Sequence, residues 1–302
     1  MSDTVILAPT WRANFLGLLL VLLGGLFITT LTWIVRSVAD DINPLQAGFM
    51  RYAFGTLLLL PMAFKFKATD LAPRLVGGHI IRSIVHAISV LLWFYAVTKI
   101  SLADLTALSF TSPVFITIGA FLFLEETFSY RRLGGIVTAF IGAVIILRPG
   151  VEAISVGAIA ILISVPFQAA STLIGKHLAP RTSTYAMVFY LSLFVTLTSL
   201  IPTLFVWNMP SLNTCALTFG AAVMATCAHF CWTKSFQIAD LSFTQPGMYF
   251  TLIWAVAIGF FIYDERPDVW SGAGAAIIIA ATAYIAARER RASLMKNMSE
   301  RS

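Results

Sequence analysis

The chain has 302 residues, 59% of them hydrophobic and 11% charged, with a mean hydropathy of +0.87. A water-soluble domain carries about 25% charged residues, so this composition excludes a soluble enzyme or binding module and calls for a lipid solvent. The formal charge of +6 would suit nucleic acid, but Lys and Arg cluster at the ends of apolar runs and no nucleic-acid partner is expected.

A helix that crosses the hydrocarbon layer needs about 20 apolar residues. Ten runs approach that length: 14–36, 44–64, 77–98, 104–124, 132–148, 154–175, 184–206, 213–234, 240–262 and 268–287. The first is read as a span rather than a cleaved leader, because further spans follow it at once. Pro113 in the fourth run, Pro166 in the sixth and Pro246 in the ninth remove the amides that would bond Ser109, Leu162 and Ser242, so each predicts a kink and a freed carbonyl. If the N-terminus is inside, 14 of the 20 Lys and Arg residues lie at inner ends and four, Arg36, Lys99, Arg148 and Arg266, at outer ends. This imbalance predicts that both termini are cytoplasmic. Cys215, Cys227 and Cys231 lie in or beside the eighth span. His229 points about 160° from the Cys227–Cys231 midline on a 3.6-residue helix, so no metal site is expected there. No cofactor is expected either.

Shifting the chain by 139 positions aligns Phe110 with Tyr249, Phe121 with Phe260, Glu126 with Glu265 and Gly135 with Gly274. Spans one to five then match spans six to ten, and since five is odd the second copy enters the membrane upside down. The expected fold is an all-α membrane protein of ten transmembrane helices in two inverted five-helix repeats, 1–150 and 151–302, the second ending in a short basic tail. Gly134, Gly135, Ala139 and Gly142 in the fifth span, and Gly272, Gly274 and Ala281 in the tenth, have the small-residue spacing of helix contacts.

The run SLADLTALSFTSPVFITIGAFLFLEETFSYRRLGGIVTAFIGAVIILRPG (101–150) and its second-half counterpart QPGMYFTLIWAVAIGFFIYDERPDVWSGAGAAIIIAATAYI (245–285) resemble the EamA branch of the drug/metabolite transporter superfamily. The resemblance implies a ten-helix metabolite transporter of the bacterial inner membrane, with a central cavity lined by helices one to four and six to nine. Its cargo is left open, since the family includes exporters of amino acids and importers of riboflavin-like and S-adenosylmethionine-like molecules. Met248 stands where many members of the most similar subgroup carry an acid, so subgroup substrates do not transfer.

All fourteen acidic residues fall in loops, tails or terminal turns of spans, whereas two cations, Arg51 and Arg82, lie within spans. Burying a lone guanidinium in hydrocarbon costs roughly 2.5–3.5 kcal/mol. Either each side chain snorkels to the headgroups or it faces a water-filled cavity and offers charge to a carboxylate or phosphate. Arg82, His86, Ser89 and Trp93 share one face of the third span, as a pathway wall or as a polar seam between helices. Ser109 and Thr111 flank the break expected at Pro113. Gln168, Tyr190, His229, Gln245, Tyr249 and Trp254 complete the candidate lining, Tyr190 taking the place of Arg51 in the second copy. Glu126 and Glu265 end spans at the water boundary and are expected to bind loop amides or helix starts.

The leading expectation is a secondary carrier for a small polar or zwitterionic metabolite, such as an amino acid or derivative, working in the lipid bilayer by alternating access. The alternative is uptake of a larger planar molecule of riboflavin or S-adenosylmethionine type. An intramembrane enzyme lacks any HExxH, paired aspartates or nucleotide loop to support it. A scaffold or sensor that binds without flux, and a homodimer, stay open.

Overall fold

The computed structural model describes residues 11–61, 73–123, 130–147, 155–178, 181–238, 247–248, 250–266 and 268–299. Its helices are α1 (Trp11–Ser37), α2 (Pro44–Leu59), α3 (Pro73–Val97), α4 (Leu102–Ser109), α5 (Ser112–Phe123), α6 (Tyr130–Leu147), α7 (Val156–Leu178), α8 (Thr184–Leu204), α9 (Leu212–Ile238), α10 (Phe250–Tyr263) and α11 (Val269–Ser299). No strand occurs among the described residues. The protein is an all-α membrane protein. Phe15–Ser37, Leu75–Val97, Val156–Gly175, Thr184–Leu204 and Leu212–Ser235 are each long and apolar enough to cross a bilayer.

Helix starts follow local chemistry. Asn43 caps α2 by accepting from Leu45 N, with Pro44 at the first helical position. Ser101 and Asp104 bond reciprocally at the start of α4, Ser101 Oγ accepting from Asp104 N and donating to its carboxylate. Ser183 and Ser211 cap α8 and α9 by accepting from the amides of Ala186 and Thr214. Inside the helices, hydroxyls such as Thr29, Thr106 and Ser199 donate to carbonyls one turn back, which satisfies them without water.

The fourth span breaks into two helices. Phe110 and Thr111 form a turn between α4 and α5, Thr111 N bonding Leu108 O and Val114 N bonding Thr111 O, immediately before Pro113. A missing amide at Pro113 explains the location. Pro166 has a milder effect: α7 runs through it as one helix. Pro202 sits inside α8 in the same manner and was not among the expected kinks. Pro246 lies outside the described residues. α11 continues well past 287 to Ser299, because Ala, Arg, Glu and Met favour helix beyond the membrane.

Packing obeys an exchange rule. α1 packs on α9 as α3 packs on α7, α2 on α9 as α3 on α8, and α1 on α10 as α5 on α7, while α6 pairs with α11 and α2 with α8. These are the pairs that exchanging the two halves would generate. Direction follows from the contacts between α6 and α11, the equivalent last spans of the two copies. Gly142 meets Ile278 and Gly274, and Ile146 meets Gly274, so partner numbers fall in one helix as they rise in the other. Equivalent helices that pack antiparallel make the two halves inverted copies.

At that crossing a Cβ on Gly142 would stand 2.8 Å from the Gly274 carbonyl, and one on Gly274 2.6 Å from the Gly142 carbonyl. Backbone cannot move aside as a side-chain tip can. Ala139 and Ala281 are also buried against this seam. Gly134 and Gly272, expected in the same role, instead have nothing within 4 Å of a built Cβ. Their helical phase turns them outward from the crossing.

Gly142→Val is therefore expected to destabilise the purified protein by about 1–3 kcal/mol through overpacking, read as a lower Tm. Gly134→Ala, in open space within a helix, is expected to raise Tm slightly, since Ala exceeds Gly in helix propensity by about 0.8–1.0 kcal/mol.

Candidate functional site

Arg51 lies two turns into α2 and is 4% exposed. It does not snorkel: its guanidinium sits 3.8 Å from the Tyr52 ring centroid. Tyr52 was not expected at the site, although it is the next residue, because neighbours on a helix usually diverge. Its hydroxyl lies 3.0 Å from Nε2 of His86 on α3. The two rings are edge-on at 6.2 Å. Arg82, one turn earlier on α3, reaches toward the Met187 carbonyl at 3.5 Å. Its guanidinium lies across Gly175 of α7, where a Cβ would come within 3.1 Å of Nε. That Nε is buried without a hydrogen-bond partner among the described residues. Arg51, Arg82 and His229 of α9 all lie within electrostatic reach of His86.

These residues form one positive cluster held by α2, α3, α7, α8 and α9. No carboxylate pairs with either guanidinium among the described residues. Fixed donors in a low-dielectric setting without a protein counter-charge favour an anion, with bidentate geometry available to carboxylate or phosphate. The cation–π contact with Tyr52 offsets part of the burial cost.

The remaining expected residues divide by position. Ser89 bonds Ser164 at 3.0 Å and donates to Oε1 of Gln168 at 3.3 Å, while Ser164 donates to the Ser89 carbonyl at 2.8 Å, so this part of the α3 stripe is the seam with α7. Trp93 is half-buried with its ring 5.3 Å from Phe94. Ser109 and Thr111 donate to the carbonyls of Leu105 and Leu108, fastening the α4–α5 break. Tyr190, buried in α8, lies 5.1 Å from the His79 ring and stacks on Phe194 at 5.7 Å. It extends the cluster on the side away from Arg51. His229 meets the edge of Trp232 at 6.0 Å. Trp232 itself lies over Gly24 of α1, where a Cβ would be 2.5 Å from Nε1. The indole N–H groups of Trp232 and of Trp254 on α10 are both buried without partners among the described residues. Gln245 and Tyr249 lie outside the described residues.

His79, Trp232 and Ser164 complete the polar and aromatic surroundings and were not among the expected residues. Small residues opposite them, such as Gly24, were the available signal. A cavity of about 550 Å³ opens elsewhere, near Asp40, Asn43, Tyr95 and Lys99 where α1–α2 meets the end of α3. It touches none of the central cationic residues.

Comparison with known proteins agrees with this architecture. The EamA-like transporter family matches the chain twice, over residues 15–148 and 155–287. A riboflavin transporter of Vibrio cholerae is 30% identical over 92% of this chain and 95% of its own length. An S-adenosylmethionine uptake transporter of Rickettsia felis is 28% identical over 91% of this chain and 98% of its own. A pseudopaline exporter of Pseudomonas aeruginosa is 25% identical over 88% and 94% respectively. One solved crystal structure shares the fold with a TM-score of 0.62 at 13% identity, covering 93% of this chain and 98% of that one. With both halves matched, the chain belongs to the EamA-like transporter family and is a multi-pass membrane transporter of a small metabolite, not an enzyme.

Proposed function

We propose that this transporter carries a small polar or zwitterionic organic metabolite, an amino acid or derivative, across the bacterial inner membrane by alternating access. The observation that carries the reading is the pair of guanidinium groups, Arg51 buried and Arg82 partly buried, with no carboxylate against either among the described residues. A carboxylate-bearing cargo supplies the missing counter-charge, and the charge-assisted bonds it forms are about twice as strong as neutral ones. The inverted halves, 1–150 and 151–302, are the elements that rock around this site. On this reading both termini face the cytoplasm, as the distribution of Lys and Arg supports.

A second reading, uptake of a larger planar metabolite, is favoured by the indoles of Trp232, beside His229, and of Trp254, whose N–H groups are buried without partners among the described residues. The names of the riboflavin and S-adenosylmethionine relatives point the same way. The absence of a span carboxylate weighs against a cationic cargo, whose charge would meet two arginines.

In proteoliposomes, Arg51→Ala and Arg82→Ala are expected to slow amino-acid flux about 10- to 100-fold, the loss of one hydrogen bond to a charged group. Arg51→Lys keeps the charge and is expected to lose less. Wild-type flux in both alanine variants rules out the cluster as the cargo site. Competition of uptake separates the two readings: block by an amino-acid panel supports the first, and block by riboflavin alone supports the second. For orientation, impermeant thiol reagents are expected to label Arg12→Cys and Arg266→Cys from opposite sides of the membrane, in a background lacking the native cysteines.

A further inference from the structure

We infer that Glu265 and Arg36 form a gate that closes one mouth of the transport path, at the end of the bundle where α1, α3 and α10 finish. The gate stands apart from the central cluster and does not depend on which cargo that cluster takes.

The backbone presents the carboxylate. After α10 the chain reverses at Asp264, whose φ of 52° is the one positive value on a non-glycine residue among those described. Glu265 N then donates back to the Gly259 carbonyl at 2.9 Å. The carboxylate folds over Gly259, where a Cβ would stand 2.9 Å from Oε2. Only glycine leaves that space, so both the turn and the helix face are shaped around this side chain.

Each carboxylate oxygen crosses from the second half to the first. Oε1 pairs with Arg36 Nη1 at 2.5 Å. Oε2 accepts from Leu102 N, the first amide of α4, at 3.0 Å. Arg36 Nη1 also donates to the Ile100 carbonyl at 3.1 Å and its guanidinium lies 4.8 Å from the Tyr263 ring. Tyr263 in turn donates to the Trp33 carbonyl at 3.1 Å. One residue thereby joins α1, the α3–α4 turn and α10. At the same end, Gln46 exchanges two bonds with the Asn208 backbone, at 2.6 and 2.9 Å, and Thr214 donates to Asp41 at 2.9 Å, again across the two halves.

Two features make this a gate rather than a permanent staple. The side chains of Arg36 and Glu265 are 22% and 18% exposed and stand at the ends of α1 and α10, where spans meet water, so separating them does not strand either charge in the hydrocarbon interior. A pair this wet adds little to global stability yet biases a two-state equilibrium. Nor does the internal symmetry copy it: at a shift of 139 the position of Arg36 is taken by Gly175, which has no side chain to repeat the pair. The pair is therefore specific to this end of the bundle.

The test uses the full-length carrier with its three native cysteines replaced by serine and a reporter Thr32→Cys, buried one turn inward of Arg36. Adding Arg36→Gln or Glu265→Gln is expected to raise the rate of impermeant maleimide labelling about two- to fivefold, the population change that loss of one partly exposed ion pair gives. Glu265→Gln keeps an acceptor for Leu102 N and so isolates the charge pair, while Arg36→Lys keeps the charge and is expected to label near the reporter's own rate. Unchanged labelling in both glutamine variants overturns the gate, as does a Lys variant that labels as fast as Arg36→Gln. No cargo is needed for the readout, so a failed flux assay leaves this result standing.

Discussion

A hydrocarbon solvent offers no hydrogen bonds, so every polar group within the bundle must find its partner inside the chain. Most features of this protein follow from that constraint. It forces long helices whose hydroxyls bond their own carbonyls, as Thr29 and Ser199 do. It also concentrates the remaining polar side chains on helix faces that meet other helices, such as Ser89 against Ser164. Charges that cannot be neutralised this way become conspicuous. Arg51 and Arg82 are the clearest cases: each has contacts to π or carbonyl density, and neither has an acid among the described residues.

Because hydrophobic burial does not distinguish lipid from protein, shape decides which helices touch. Gly142 and Gly274 let two backbones approach so closely that a Cβ on either would lie under 3 Å from the other's carbonyl oxygen, and Gly24 accepts the indole of Trp232. The antiparallel crossing of α6 and α11 fixes the two halves as inverted copies, and the other contacts follow in exchanged pairs. Within this symmetric frame the chemistry is asymmetric. Tyr190 stands where Arg51 stands in the first half, and Gly175 where Arg36 stands. Both guanidinium groups of the cluster thus come from the first half.

The relatives sharpen this picture without resolving it. Three transporter names, for riboflavin, S-adenosylmethionine and pseudopaline, occur on chains of similar overall identity and near-complete coverage. A shared scaffold with different cargoes implies that specificity rests on a few side chains projecting inward from the same helices. In this chain the side chains gathered at the cluster include the guanidinium groups of Arg51 and Arg82 and the indole of Trp232, and the described spans carry no opposing acid there.

Sequence alone determined the lipid setting, the approximate spans, the repeat and its inversion, because hydropathy and the odd number of crossings are one-dimensional properties. It also located the break before Pro113, since a missing amide acts on its own helix. The partners of the buried groups were decided only by tertiary structure. Tyr52 bonds His86 across two helices, and Glu265 reaches Leu102 across 163 residues of chain. Likewise Gly134 and Gly142 follow one spacing, yet only Gly142 lies at a crossing, because helical phase relative to a neighbour is a property of two helices and not of either sequence. Composition set which solvent the chain accepts, and packing set which polar atoms were left for a ligand or a moving part.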